Sequence, residues 1–161
     1  MWRPPTPVEQ ELWNAVVAGV RAANQADREA FQAAVRRLSR LPHPWTPHVL
    51  HDTAELLVEE WDPDGRYPWP LLAAQLDHVT GWLPEVQPRL LATLLTGGGP
   101  PPSAGTPDAV SDTRLRLLLV ALLAGVARAG VGAFVDVALA GNSGHPPRRL
   151  SGTVPHCRPG R

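Results

Sequence analysis

The stretch "LRLLLVALLAGVARAGVGAFVDVALAG", residues 115–141, constrains this chain more than any other. It has helix-forming composition and is apolar on almost every side from Leu117 to Ala127, so a water-soluble fold must surround it. It also approaches the ~20 apolar residues that a membrane span requires. Arg128 and Asp136 interrupt it where charge is costly at mid-bilayer, which favours a buried helix or helix pair. Gly125, Gly130 and Gly132 offer small faces or a break. The central element of an all-α bundle is the expected role, and self-association through this apolar helix is the competing one.

The rest of the chain supplies helices to cover it. In "TPVE" Thr6 is a natural N-cap, Pro7 takes the first helical position and Glu9 can reach back to close a capping box. Thr46-Pro47 and Thr106-Pro107 repeat the Thr-Pro pair. From Pro7, the residues Val8, Leu12, Ala15, Gly19, Ala22, Ala26, Ala30 and Ala33 recur at spacings of three and four. They predict one long amphipathic helix ending near Leu38, with a break around Asn24-Gln25. Pro42 and Pro44 end it, and Thr46 is expected to cap a second helix with Trp45 stapled onto Leu50. Leu50, Thr53, Leu57 and Trp61 mark the buried stripe of that helix, leaving His48, Asp52, Glu55 and Glu59 nearer solvent. A third helix begins at Trp69-Pro70, and a fourth begins at Pro84 and stops at Gly97.

These elements predict an all-α, compact bundle of five or six helices in a single domain over residues 1–141. The segment "TGGGPPPSAGTPD" gives it an internal Gly/Pro-rich linker at residues 97–107, and residues 142–161 read as a disordered basic tail. Charge divides along the same boundary. The net charge is zero, yet residues 1–141 hold all 15 acids against 11 arginines, and residues 142–161 hold four arginines and no acid. No lysine occurs, and alanine and leucine dominate, as in proteins of GC-rich bacterial genomes. The lone Cys157 precludes an internal disulfide, and the N-terminus "MWRPPTPVEQ" lacks a secretory pattern, so a cytoplasmic location is expected.

"HPWTPHVLHD", residues 43–52, holds three histidines and an aspartate. His48 and His51 stand three apart and can share a helix face as metal ligands do, with His78 as a third candidate. The segment "PWTPHVLHDTAEL" resembles the start of the histidine-bearing helix in small bundle metalloenzymes of the DinB and mycothiol-dependent isomerase type. That resemblance implies a metal-dependent transferase or isomerase using His48, His51 and His78. Those proteins take a histidine from each of several helices, whereas residues 113–141 contain none. Asp62, Asp64 and Gly65 imitate part of a calcium loop, but the twelfth position from Asp62 is Ala73 where a glutamate is required. "GNSGHP" is similar to the nucleophile segment "GDSGGP" of trypsin-like serine proteases, a β-barrel family, and this chain has no strand pattern to support it. No phosphate-cradling glycine loop and no cysteine metal motif occur, so no cofactor and no catalytic residues are expected.

The remaining reading is a non-catalytic protein-interaction or regulatory module. Its expected partner surface is the second helix and the loop after it: Glu55, Glu59, Trp61, Asp62, Asp64, Tyr67 and Trp69. Residues 52–64 carry six acids and no arginine, which suits a cationic protein partner and disfavours nucleic acid. Ser151, in the second of two "RRLS" sequences, sits in a pattern that basophilic kinases accept.

Overall fold

The computed structural model describes residues 4–64, 69–84, 86, 89–91 and 109–143. The chain is all-α, and no strand occurs among the described residues. The helices are α1 (Pro7–Asn24), α2 (Arg28–Ser39), α3 (Trp45–Trp61), α4 (Trp69–Trp82), α5 (described at residues 89–91), α6 (Ala109–Ala127) and α7 (Val131–Asn142). Seven helices thus replace the expected five or six. Two backbone reversals account for the excess, one next to the break expected around Asn24-Gln25 and one between Gly125 and Gly130, and each turns on a residue that is not glycine.

The first reversal splits the long N-terminal helix at Gln25–Asp27. Ala26 adopts the left-handed conformation at φ 52°, its N–H donates to the Ala23 carbonyl, and the Asp27 N–H donates to that of Ala22. This hydrogen-bond pair is a Schellman ending. Asp27 then caps α2 by accepting from the Ala30 N–H at 3.1 Å. The turn resets the helical register, so Ala30 is exposed and the buried stripe of α2 becomes Phe31, Ala34, Val35 and Leu38. Arg128 makes the second reversal in the same way, at φ 52°, with the Ala129 N–H donating to the Ala124 carbonyl between α6 and α7. A left-handed residue with a Cβ costs about 1–2 kcal/mol, of which glycine recovers a part after its larger unfolded-state entropy is counted. Ala26→Gly and Arg128→Gly are each expected to stabilise the fold by about 0.5–1 kcal/mol. Chemical denaturation checks this, and a loss of stability in either variant would contradict it.

The first helix begins as its sequence predicts. Thr6 accepts from the Glu9 N–H at 3.2 Å, and Glu9 accepts from the Thr6 N–H at 2.7 Å. The start of α3 differs. The helix opens at Trp45 behind Pro44, and Thr46 is not the cap but a buried residue of the first turn. Its hydroxyl and its N–H both donate to the Pro42 carbonyl, at 3.0 and 3.1 Å. A capping threonine would accept from a backbone N–H ahead of it, whereas Thr46 donates its hydroxyl back to Pro42; the His43-Pro44 peptide between them is cis.

At the centre lies α6. Thr113, Leu115 and every residue from Leu117 to Ala124 are buried, by α1, α2, α3, α4 and α7 together. The apolar stretch is therefore core. It meets α1 at Gly19, where an added Cβ would stand 2.6 Å from Leu117 Cδ2 and 3.2 Å from the Ala34 Cβ. Across the bundle, the Trp13 indole donates to the Gly132 carbonyl at 3.2 Å and ties α1 to α7. Arg37 of α2 reaches Glu11 of α1 through two hydrogen bonds, at 2.8 and 3.2 Å, and this contact holds the Glu11 carboxyl below its ordinary range. No helix among the described residues is long and apolar enough to cross a membrane.

Candidate functional site

One side of α3 packs on α6 and α7, and its other side forms the surface in question. Thr46, Val49, Leu50, Thr53, Ala54 and Leu57 face inward. Helical periodicity then places Glu55 and Glu59 on one exposed strip, with Glu60 and Asp64 also exposed and Asp52 and Asp62 half-buried. Trp61 is half-buried and packs against the core. A tryptophan closing the last turn of a helix gains more by covering Leu57 and its neighbours than by standing in water. Trp69 opens α4, and Tyr67 lies outside the described residues. Trp61 thus contributes to core packing while Glu55 and Glu59 are exposed.

The histidines divide between two places. His48 places Nδ1 2.7 Å from the Pro44 carbonyl, one turn back along its own helix. His51 Nε2 lies 3.1 Å from Glu55 Oε1, an i,i+4 pair on the exposed face. His78 is on α4, at the rim of a cleft between α1, α4 and α6. Among the described residues no three histidine, cysteine, aspartate or glutamate side chains gather in a way that could hold a metal ion.

One cation of the core helix that borders α3 is paired within α6. Arg116 borders the small depression that Leu50, His51 and Ala54 line, but its Nε donates to Asp112 at 2.9 Å on α6 itself. Residues 52–64 themselves carry six acids and no arginine.

Two residues that sequence reasoning placed in the tail belong to the fold. Asn142, the last residue of α7, donates to Asp52 Oδ2 at 2.7 Å and to the Ala138 carbonyl at 2.8 Å. Ser143 Oγ lies 2.9 Å from Glu9 Oε1 and 2.7 Å from the Leu139 carbonyl, so its one hydroxyl hydrogen is shared between the two acceptors. The C-terminal segment consequently departs from a point fixed against α3 and the start of α1. Ser143 is also the serine of the protease-like "GNSGHP" segment, and here it latches a helix end. Nothing local in "AGNSG" signals either contact, because both partners lie far away in sequence. The linker at residues 97–107, residues 144–161 of the tail, and Ser151 fall outside the described residues.

The fold and this surface define an all-α bundle with a buried apolar central helix and an acidic outer helix. No family model, no curated protein and no solved structure matches the chain.

Proposed function

We propose that this chain is a non-catalytic interaction module of a bacterial cytoplasm, and that the outer face of α3 receives a cationic segment of a partner protein. The single observation behind this reading is the exposed strip of Glu55 and Glu59, flanked by Glu60 and Asp64, with the neighbouring Arg116 engaged by Asp112. Such a face attracts arginine-rich segments over several ångströms and orients them along the helix. The hydrogen bond from Asn142 to Asp52 roots the arginine-bearing C-terminus at the edge of the same face. Arg148, Arg149, Arg158 and Arg161 therefore act as an internal competitor that a stronger cationic partner displaces.

The experiment is binding of a labelled arginine-rich nonapeptide to the full chain, to a chain ending at Ser143, and to Glu55→Gln/Glu59→Gln. The shortened chain is expected to bind more tightly at low salt, and the two lengths to converge at high salt, where screening removes the attraction. Removing two exposed charges at roughly 0.5 kcal/mol each weakens binding about fivefold. Affinity that ignores both the glutamines and the salt concentration would move the partner surface away from α3.

A further inference from the structure

The two flanks of α7 have different neighbours. Gly132 accepts from Trp13 and Ser143 lies against Glu9, so both residues face α1. They stand about three full turns apart and mark one side of the helix. Phe134, Val137 and Gly141, at spacings of three and four, share the opposite side, where α7 meets α3. On α3 the junction is marked by Asp52, which accepts from Asn142, and helical spacing puts Leu56 and Glu59 on the same flank.

The junction is an apolar seam with one acidic edge. Leu56 and Phe134 are half-buried and pack against the core, while Val137 is 57% exposed. Space above Gly141 is open, since an added Cβ there would meet nothing within 4 Å. Glu59 is exposed along the α3 side, the one charged residue of α7 is Asp136, and neither helix contains an arginine. Acids by themselves hold a cation weakly, because each exposed pair contributes little. Apolar side chains beside them add surface that association can remove from water.

We propose that the seam between α3 and α7 docks a cationic amphipathic helix of a partner protein. Apolar residues of that helix at spacings of three and four cover Leu56, Phe134 and Val137, and arginines on its flank meet Glu59 and Glu55. Charge selects this occupant. An acidic helix would be repelled by α3, and a wholly apolar one would desolvate Glu59 without a counterion. The inference rests on the reading of α3 as a cation-receiving face and adds the apolar half of the partner.

The probe is a short helical peptide of alanine and arginine with three leucines at spacings of four and three along one face. Its control has the same composition with the leucines scattered around the helix. Binding to the full chain, read by fluorescence anisotropy, should be about tenfold tighter for the one-faced peptide. Val137→Gln deletes the apolar contact at an exposed position, and Gly141→Arg sets a like charge on the seam where space is open. Both should abolish the preference, while a leucine-free arginine peptide keeps its affinity for Val137→Gln. Equal affinity for the two peptides, or a preference unchanged in either variant, overturns the seam and leaves the acidic face of α3 standing. Peptides that bind Glu55→Gln/Glu59→Gln as tightly as the unaltered chain overturn the cation-receiving reading itself, and the proposal with it. Val137 methyl resonances that shift on dilution, or on removal of residues 144–161, would assign the seam to a second copy or to the chain's own C-terminus and overturn the proposal.

Discussion

Leu117→Ala is expected to lower the stability of this protein by about 2–5 kcal/mol, the range for deleting a fully buried leucine that leaves a cavity. The informative experiment joins it to Gly19→Ala. Alone, Gly19→Ala gains about 1 kcal/mol of helix propensity but drives a methyl to 2.6 Å from Leu117 Cδ2 and 3.2 Å from the Ala34 Cβ. Leu117 is fully buried, so relieving the contact displaces a packed side chain, and overpacking at about 1–3 kcal/mol is expected to outweigh the propensity gain. In the double variant the new methyl occupies part of the volume that Leu117 vacates. The combined loss should fall short of the sum of the single losses by more than about 1 kcal/mol, measured by denaturant unfolding at constant slope. Losses that add within about 0.5 kcal/mol would mean that Gly19 does not govern the approach of α1 to α6.

Phe31→Ala should cost about 3–5 kcal/mol, because the ring is fully buried and contributes an edge-on contact to Trp82 beyond its area. For a chain of this size that corresponds to a fall of roughly 6–20 °C in the thermal midpoint. The near-ultraviolet circular dichroism of the folded state should also weaken, since Trp82 loses the neighbour that fixes its ring. Val8→Ala, at a side chain 40% exposed, is the control and should stay within about 0.5 kcal/mol. A Phe31 variant as stable as the control would place the junction of α2 and α4 outside the cooperative core.

The first of these predictions also shows what could be read early and what could not. The glycine at position 19 stands out within an alanine stripe and marks a close helix contact, but the stripe does not identify the partner. Only the fold brings Leu117, 98 residues away, against it. The same holds for α2. Its alanines continue the spacing of α1 through Ala30, and a register set by local spacing survives only while the helix is unbroken. At Ala26 the chain reverses through a left-handed residue that has no glycine to announce it. Phe31, Ala34, Val35 and Leu38 therefore face the core in place of the predicted stripe.

On the candidate surface the division is similar. The spacing of Asp52, Glu55 and Glu59 opposite Leu50, Thr53 and Leu57 is a property of the helix alone and was legible as such. Trp61 was not, because whether an aromatic at a helix end covers the core or faces water depends on what lies beneath it. His48, His51 and His78 look like a ligand set in one dimension, yet two sit on α3 and the third rims a cleft on another side of α6.

Local and short-range terms were enough to determine an all-α chain, the capped start at Thr6, the approximate starts of α3 and α4, the acidic face of α3, and an apolar segment that had to be enclosed. Capping hydrogen bonds and 3.6-residue periodicity act within one or two turns, so they are written where they act. Tertiary structure alone decided that α6 is wrapped by five helices, that Gly19 meets Leu117, that Phe31 meets Trp82 edge-on, and that Asn142 and Ser143 are stitched to Asp52 and Glu9. Each of those joins residues far apart along the chain, and burial and shape complementarity select such contacts only once whole helices pack together.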